Sequence, residues 1–367
     1  MLPLLENAKF LPGKVAVVRL DFNDEDYWRM EKSLPTLRLL LARGVRIVIL
    51  SHRGRPQGKE MRYSLRKDAR MLQKLLATSV KFVPHFRLRQ LAHSIAKEST
   101  SHQVYVLENI RFLRGEYRND INLARRLAAL GDFFVNDAFA VAHRAAASTV
   151  GITKFLPSFA GIELAHEITA LRTAMYRPQK PLVVLLGGAK VHTKLPVLRF
   201  FRKRADTLLA GGAVANTILV EMGFGVGDSI IDPHPDPIIR KIVRYPNLVL
   251  PCDYHISRNR ILDIGPKTIR KFSSFLRNAR TIIWNGPLGL IEQKKFCKGT
   301  EALARTITRN RKAFSIVGGG ETESFVRKRG LAGKFSLVST GGGAMLMLLS
   351  GEKLPAIEAL RHSRRRK

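Results

Sequence analysis

The second half of the chain repeats one plan, in which an apolar run ends in a glycine-rich turn and a helical pattern follows. Buried parallel strands form continuous apolar runs, and glycine lets the backbone turn sharply after them. Such turns present backbone N–H groups at a helix N-terminus, which suits phosphate. The repetition therefore predicts an α/β sheet that binds a phosphate-rich ligand. The turns are Leu185–Gly188, Leu208–Gly212, Ile283–Gly289, Ile316–Gly320 and Val338–Gly343.

The spacing of these glycines excludes two common nucleotide sites. The chain has no G-x-x-x-x-G-K-[ST] sequence, so it is not a Walker-type NTPase. The chain also lacks a G-x-G-x-x-G sequence followed by a ribose-binding acid, so the sequence does not indicate a dinucleotide-binding fold.

The first turn of the series carries two lysines, Lys190 and Lys194. Residues four apart lie on one face of a helix, so the pair would add fixed positive charge beside the glycines. The stretch reads equally well as a phosphate site or as an ordinary connection with solvated lysines. Its neighbours decide between the two.

The first half of the chain alternates strand and helix patterns. This order predicts a parallel sheet covered by helices on both faces. A single amphipathic helix over 160–175 then separates the two halves, and a hinge motion would act through it. The predicted strands are 14–20, 46–50, 80–83, 104–107 and 133–135, and the predicted helices are 34–41, 64–76 and 122–130.

Polar residues of the first half cluster directly after its predicted strands. The carboxyl ends of parallel strands form the ligand crevice of an open sheet, so these side chains should meet at one edge. Guanidinium groups bind phosphate and carboxylate in a bidentate fork. The pattern predicts a site for a small, multiply anionic ligand. The residues are Arg19, Asp21, Asn23, His52, Arg55, Arg111, His143 and Arg144.

The net charge of +34 is the unusual feature of the composition. Such a field attracts nucleotides, sugar phosphates and nucleic acids alike, so charge does not choose between an enzyme and a nucleic-acid-binding protein. No apolar run approaches the roughly 18 residues of a membrane helix. Neither a signal peptide nor a metal-binding cysteine pattern is evident, which favours a cytoplasmic protein with reduced thiols.

In order along nearly the whole chain, these residues resemble the motifs of phosphoglycerate kinases. The first half carries Arg19–Asn23, Arg29, Ser51–Pro56, Leu107–Phe112, Val135–Phe139 and His143-Arg144. The second half carries Gly187–Lys190, Asp263–Pro266, Trp284–Gly289 with Glu292, Gly318–Gly320 and Ser339–Ala344.

The resemblance implies an α/β fold with two doubly wound, Rossmann-like parallel-sheet domains. Residues 1–158 would bind 3-phosphoglycerate or 1,3-bisphosphoglycerate, with 353–367 returning to this domain. Residues 159–178 would form the interdomain helix, and 179–352 would bind Mg-ADP or Mg-ATP. The family also implies a monomer.

Site residues follow from the same resemblance. Arg29 and Lys190 would neutralise the transferring phosphoryl, assisted by N–H groups at Gly319 and Gly342. The glycerate would contact Asp21, Asn23, Arg29, His52, Arg55, Arg111 and Arg144. The nucleotide would lie among Lys190, Lys194, Gly211, Asn285, Pro287, Gly289, Glu292, Gly318, Gly319, Gly320 and Glu321, with Glu321 as the Mg²⁺ ligand.

The chain also departs from the family pattern. Glu321 stands where an aspartate is usual, Thr193 replaces a common aspartate, and Ala146 replaces a histidine. Met347 and Ser350 occupy positions that are usually acidic. These changes, together with the net charge, keep a second hypothesis open: a catalytically impaired relative with a binding role, including binding to nucleic acid.

Overall fold

A computed structural model describes residues 2–8, 12–97, 103–234 and 236–363. The chain divides into two compact units. The first reaches Ile168 and includes the segment from Lys353, and the second runs from Thr169 to Glu352. No helix in the described residues is long and apolar enough to span a membrane.

The first unit is built on a parallel sheet that has six strands in the described residues, in the order β3-β4-β2-β1-β5-β6. Its apolar strands are buried between helices, as predicted for a doubly wound sheet. The strands are β1 (Val15–Arg19), β2 (Arg46–Leu50), β3 (Val80–Val83), β4 (Val104–Leu107), β5 (Phe133–Asn136) and β6 (Ser158–Ala160). The helices are α1 (Trp28–Ala42), α2 (Arg66–Leu76), α3 (Leu88–Lys97), α4 (Ile121–Ala128) and the C-terminal α13 (Pro355–His362). Helix α5 (Ile162–Tyr176) begins in the first unit and ends in the second.

The second unit holds a second parallel sheet, again with six strands in the described part of the chain, in the order β14-β13-β12-β7-β8-β9. Its strands are β7 (Leu182–Leu186), β8 (Thr207–Ala210), β9 (Leu248–Val249), β12 (Thr281–Asn285), β13 (Phe314–Gly318) and β14 (Leu337–Val338), beside the antiparallel hairpin of β10 (Tyr254–Ser257) and β11 (Arg260–Ile264). Its helices are α6 (Leu195–Phe201), α7 (Gly212–Glu221), α8 (Ile239–Ile242), α9 (Pro266–Asn278), α10 (Lys298–Arg309), α11 (Gly320–Lys328) and α12 (Gly342–Leu349).

Three helices of the first half differ from the sequence predictions. Helix α1 begins at Trp28, six residues before the predicted start, and contains Pro35 in its interior. The early start puts Arg29 in the first turn of α1, where its backbone N–H donates to Asp24 Oδ2 at 2.7 Å. Helix α3 was not predicted, and Ala160 ends strand β6 before α5 begins at Ile162.

The glycine-rich turns of the second half lie where the repeated plan predicts them. Helices α7, α11 and α12 begin at the glycines Gly212, Gly320 and Gly342, directly after β8, β13 and β14. The carboxyl edge of this sheet is therefore lined by helix N-termini, an arrangement that favours anionic ligands.

Candidate functional site

A buried arginine anchors the polar cluster at the carboxyl edge of the first sheet. Arg19, the last residue of β1, is 2% exposed. Its Nη2 lies 3.1 Å from His52 Nδ1, and its Nε donates to Ser148 Oγ at 3.0 Å. A buried guanidinium needs a compensating acid, and Ser148 connects it to one.

That acid is Glu116, which the sequence did not indicate. Ser148 Oγ donates to Glu116 Oε1 at 2.6 Å, and Ser148 N donates to Oε2 at 3.1 Å. Burial raises the pKa of Glu116, while the nearby positive charge of Arg19 opposes the shift. The hydrogen bonds from Arg19 to Ser148 and from Ser148 to Glu116 thus hold the buried Arg19 side chain in place within the site. Only contacts made after folding identify this arrangement, since the three residues are far apart in sequence.

Asp21 links the next two members of the cluster. Its Oδ2 lies 3.1 Å from Arg29 Nη1, and its Oδ1 lies 3.7 Å from His52 Nε2. Burial lowers the pKa of His52 well below 6.5, and Arg19, Arg111, Arg29 and Arg144 lower it further. His52 is therefore neutral at physiological pH, and its contact with Asp21 is not an ion pair.

Arg111 and Arg144 complete the set of arginines. Arg111 Nη1 donates to Gly54 O at 2.6 Å, and its guanidinium lies 5.2 Å from the centre of the Tyr117 ring. Burial lowers the pKa of Arg111 to about 10, helped by the charges of Arg19 and Arg144. The group stays charged at neutral pH. Four arginines around one neutral histidine give this edge a strong preference for an anion.

The remaining predicted residues are Asn23, which follows β1, and Arg55, which lies on the loop after β2. Asn23 Oδ1 accepts a hydrogen bond from Gly54 N at 2.7 Å, which ties the ends of β1 and β2 together. Asn109 Nδ2 donates to Arg53 O and to Tyr63 O at 2.8 and 2.9 Å and holds the same loop from the side of β4. Arg55 lies on this loop with an exposed side chain. The structure therefore brings six of the seven predicted residues into one connected cluster and leaves Arg55 at its exposed margin.

In the second unit, two glycine turns meet backbone to backbone. Gly187 N donates to Asn285 O at 2.9 Å, and Gly188 N donates to Pro287 O at 2.7 Å. A Cβ on Gly286 would lie 2.1 Å from Gly187 O, so a side chain has no room there. These contacts fix the turns after β7 and β12 against each other at the centre of the sheet edge.

A cavity of about 140 Å³ lies at this edge. It is lined by residues of four turns and by the hairpin β10–β11. The predicted nucleotide residues Pro287, Gly289, Glu292 and Glu321 are among them, with Gly188, Ala189, Gly212, Ala213, Asn216, Ile230, Arg260, Ile261, Leu262, Leu288 and Leu290. Gly211 packs beside the cavity against Leu288, where a Cβ would lie 3.0 Å from that side chain.

The two lysines do not share a helix face, and that prediction is wrong. Residues Val191–Thr193 form a 3₁₀ turn, so Lys190 and Lys194 flank the turn at its two ends. Lys190 is exposed, whereas Lys194 is 6% exposed. Burial lowers the pKa of Lys194 to about 8; nearby Glu321 raises it and Lys190 lowers it further. Lys194 is thus a desolvated ammonium group close to Glu321.

The last two predicted glycine turns lie against each other. Gly319 has a φ of +98°, a conformation that favours glycine. A Cβ on Gly342 would lie 3.0 Å from Gly319 Cα, and one on Gly319 would lie 3.3 Å from the Asn285 amide. The N-termini of α11 and α12 and the Asn285 side chain therefore form one polar surface, with Gly318 and Gly320 beside it.

Glu321 is the candidate metal ligand. It lies in the first turn of α11, is exposed, and lines the cavity. No group of three or more His, Cys, Asp or Glu side chains suited to a metal occurs in the described ranges. One carboxylate fits Mg²⁺, which takes most of its ligands from nucleotide phosphates and water rather than from a protein cage.

Comparison with known proteins gives a consistent result. A family model described as phosphoglycerate kinase matches residues 6–352. A phosphoglycerate kinase from Chloroflexus aggregans is 42% identical over 387 residues, covering 95% of this chain and 96% of the relative. A phosphoglycerate kinase from Pelotomaculum thermopropionicum is 37% identical over 380 residues with the same coverage.

Solved structures agree. Phosphoglycerate kinase from Coxiella burnetii superposes with a TM-score of 0.85 at 33% identity, covering 99% of this chain and 100% of that one. The enzyme from Pyrococcus horikoshii gives a TM-score of 0.84 at 32% identity, with 99% of both chains covered. The fold class and the family resemblance of the motifs are thereby confirmed. The chain is a phosphotransferase that belongs to the phosphoglycerate kinase family.

Proposed function

We propose that the chain catalyses reversible phosphoryl transfer between 1,3-bisphosphoglycerate and Mg-ADP, giving 3-phosphoglycerate and ATP. The observation that carries the proposal is the convergence of Arg19, Arg29, Arg111 and Arg144 on neutral His52 in a unit whose partner unit carries the glycine-rich cavity. Each unit thus offers a site suited to one of the two anionic ligands.

The first unit would bind the glycerate. Arg111 and Arg144 would hold its phosphate, since bidentate guanidinium groups suit that anion. Asp21 and Asn23 would orient the sugar-acid end, and neutral His52 would donate or accept a hydrogen bond without adding charge. Arg55, at the exposed margin, would complete the site. We assign residues 1–158 to this domain and 159–178 to the interdomain helix.

We assign residues 179–352, which lie within the second unit, to the domain that would bind the nucleotide. Gly211, Pro287, Gly289 and Glu292 would contact the nucleoside, and the buried ammonium of Lys194 would bind a phosphate. Lys190, Asn285 and Gly318–Gly320 would face the reacting end. Glu321 would hold Mg²⁺, which, when bound, neutralises charge on the nucleotide phosphates.

The reaction needs little acid–base chemistry, because an acyl phosphate is already activated. The protein must position two anions and neutralise charge on the transferring phosphoryl group. Arg29 and Lys190 are assigned to that task, with the N–H groups at Gly319 and Gly342 contributing at the N-termini of α11 and α12. Hinge-bending, a monomeric state and a cytoplasmic location complete the proposal and rest on the family alone.

The alternative, a catalytically impaired binding protein, is not favoured by the comparisons. One departure from the family pattern, Thr193, also stabilises the local structure. Thr193 Oγ1 donates to Lys190 O at 2.7 Å and so stabilises the 3₁₀ turn that follows Lys190.

The direct test is ATP formation from 1,3-bisphosphoglycerate and Mg-ADP by the intact chain. We expect turnover in the usual enzymatic range, on the order of 1–10³ s⁻¹. Arg29→Ala and Lys190→Ala should each lower kcat by roughly 10²-fold or more, as expected for groups that stabilise transition-state charge. Absence of turnover by folded protein with either Mg²⁺ or Mn²⁺ would refute the proposal.

A further inference from the structure

The positive charge of the second unit is concentrated at the amino edge of its sheet. We define the amino edge as the segments between each preceding α-helix and strands β7, β8, β9, β12, β13 and β14: 177–181, 202–206, 243–247, 279–280, 310–313 and 329–336. These segments, all described by the structure, carry eleven cations and one acid, Asp206. The cations are Arg177, Lys180, Arg202, Lys203, Arg204, Arg244, Arg280, Arg311, Lys312, Arg329 and Lys334.

The opposite edge of the same sheet shows no such excess. The segments that follow those strands at the carboxyl edge are 187–194, 211, 250–253, 286–297, 319 and 339–341. They contain four lysines and two acids. A five-residue strand is about 16 Å long, so the amino edge is well separated from the candidate nucleotide cavity. The candidate kinase site therefore does not explain the cations of the amino edge.

Few of these charges are neutralised locally. Lys180 pairs with Asp206 at 3.0 Å, and Arg329 pairs with Glu301 at 2.9 Å. Arg202, Lys203, Arg311, Lys312 and Lys334 are exposed. Arg311 and Lys334, with Arg309, also line a cavity of about 640 Å³ at the β13–β14 end.

The spacing of the cations suits an extended polyanion. Neighbouring strands lie about 4.8 Å apart, so six strands present cations over roughly 24 Å. A single phosphate would use one or two of them. A nucleic-acid backbone carries one charge per nucleotide and would use many.

The β7–β8 end of the edge adds aromatic rings. Tyr176, directly before Arg177, is 51% exposed. Its ring contacts Phe200 edge-on with centroids 5.9 Å apart, and the guanidinium groups of Arg172 and Arg204 lie 5.4 and 4.1 Å from the Tyr176 and Phe200 rings. Alternating arginine and aromatic groups stack with unpaired bases. Apart from Tyr176, the edge exposes no large hydrophobic side chain that could enter a membrane.

We propose that the amino edge binds single-stranded nucleic acid, in addition to the kinase activity of the chain. The exposed arginines and lysines contact the phosphates, and Tyr176 offers a base a stacking surface. The inference stands on charge and geometry and does not depend on the proposed reaction.

The test is fluorescence anisotropy of a labelled 20-nucleotide oligouridylate titrated with the full chain at several KCl concentrations. The variant Lys203→Gln/Lys312→Gln/Lys334→Gln removes three edge cations. Its matched control, Lys267→Gln/Arg270→Gln/Lys271→Gln, removes three exposed cations from α9. Kinase turnover of each variant, expected to match that of the wild type, verifies folding.

We expect submicromolar binding at about 0.15 M salt and a salt slope that falls by about 2 in the edge variant, since each phosphate contact contributes about 0.7 for a single strand. The control should keep the wild-type slope. Tyr176→Leu should weaken binding roughly fivefold or more without changing the slope.

Several results would overturn the proposal. They include weak wild-type binding at physiological salt, equal losses in the edge variant and the α9 control, and Tyr176→Leu binding equal to that of the wild type. Tighter edge-dependent binding to vesicles of anionic lipid than to the oligonucleotide would instead assign the surface to membranes and would also overturn it.

Discussion

At the scale of single residues, the buried ammonium group of Lys194 lowers the stability of the fold, and its proposed role is to bind a nucleotide phosphate. Its ammonium group is buried, and burial lowers its pKa to about 8 from 10.5. Because the unfolded chain holds this proton more tightly, the free energy of unfolding rises as pH increases from about 8 to 10.5, and the full cost of the charge applies below pH 8. A nucleotide phosphate would supply the missing counter-charge.

We therefore expect Lys194→Met to raise the free energy of unfolding at pH 7 by about 1–3 kcal/mol while lowering the affinity for Mg-ADP at least roughly tenfold. The gain in stability should shrink at pH 10. Urea unfolding at both pH values and calorimetry measure the two effects. Exposed Lys190→Met is the control, with little change in stability. A Lys194→Met protein that is less stable than the wild type at pH 7 contradicts this account.

Substitutions at Glu321 test whether this carboxylate is the metal ligand. Glu321→Gln keeps the size of the side chain and removes its charge. We expect the preference for Mg-ADP over metal-free ADP to fall by on the order of tenfold, with metal-free ADP binding little changed. Glu321→Asp should retain most of the preference. Titration calorimetry with and without Mg²⁺ distinguishes these outcomes, and an unchanged preference in Glu321→Gln would remove Glu321 as the ligand.

At the scale of elements, aspartates remote in sequence cap several helices. Asp253 accepts hydrogen bonds from Lys267 N and Thr268 N at the start of α9. Asp263 Oδ2 accepts from Gly299 N at 2.8 Å at the start of α10. Carboxylates at helix N-termini satisfy free N–H groups and complement the helix dipole. The family motif that begins at Asp263 therefore has a structural role in this chain.

Helix α5 is capped by two buried side chains, Thr36 and Asp137. Thr36 Oγ1 accepts from Ile162 N at 2.8 Å, and Asp137 Oδ1 accepts from Leu164 N at 2.9 Å. Burial raises the pKa of Asp137 to about 7, the hydrogen bonds from Leu164 and Thr36 oppose the shift, and Glu163 adds to it. The folded chain thus binds this proton more tightly than the unfolded chain, and the contribution of Asp137 to stability falls as pH rises from about 4 to 7.

We expect Asp137→Asn to keep the hydrogen bond to Leu164 N and to remove this dependence. At pH 8 the variant should be at least about 1 kcal/mol more stable than the wild type, and near pH 5 the difference should shrink. Thr36→Val, which loses a cap, should destabilise by about 1 kcal/mol at both pH values. Thermal unfolding across pH checks both; a pH-independent effect of Asp137→Asn contradicts the assignment.

Comparison of the predicted with the observed helices and strands shows which of them the sequence could predict. Apolar runs predicted the main strands because buried parallel strands are hydrophobic throughout, and glycines marked the starts of α7, α11 and α12. Pro35 hid the true start of α1, since proline usually lies in the first turn of a helix. The 3₁₀ turn at Val191–Thr193 has no periodic signal, so Lys190 and Lys194 were wrongly placed on one face. The sequence could not predict that Glu116 and Ser148 stabilise Arg19, because these residues meet only through tertiary contacts.

At the scale of the whole molecule, each unit combines a parallel sheet with an edge that we propose binds an anion, and the two edges are built from different groups. The first unit uses guanidinium groups around His52, whereas the second uses glycine turns, helix N-termini and a buried lysine. This difference predicts that substitutions in one unit weaken the binding of one ligand and leave the binding of the other unchanged.

Titration calorimetry with 3-phosphoglycerate and with Mg-ADP tests that division most directly. Arg111→Gln should weaken 3-phosphoglycerate binding by roughly 10–100-fold and leave Mg-ADP binding within about twofold, because a charged hydrogen bond contributes about 1.5–3 kcal/mol. Lys194→Gln should do the reverse, and exposed Arg126→Gln should change neither. If Arg111→Gln weakens Mg-ADP binding as much as 3-phosphoglycerate binding, or if neither ligand binds the wild-type chain, the assignment of the two sites is wrong.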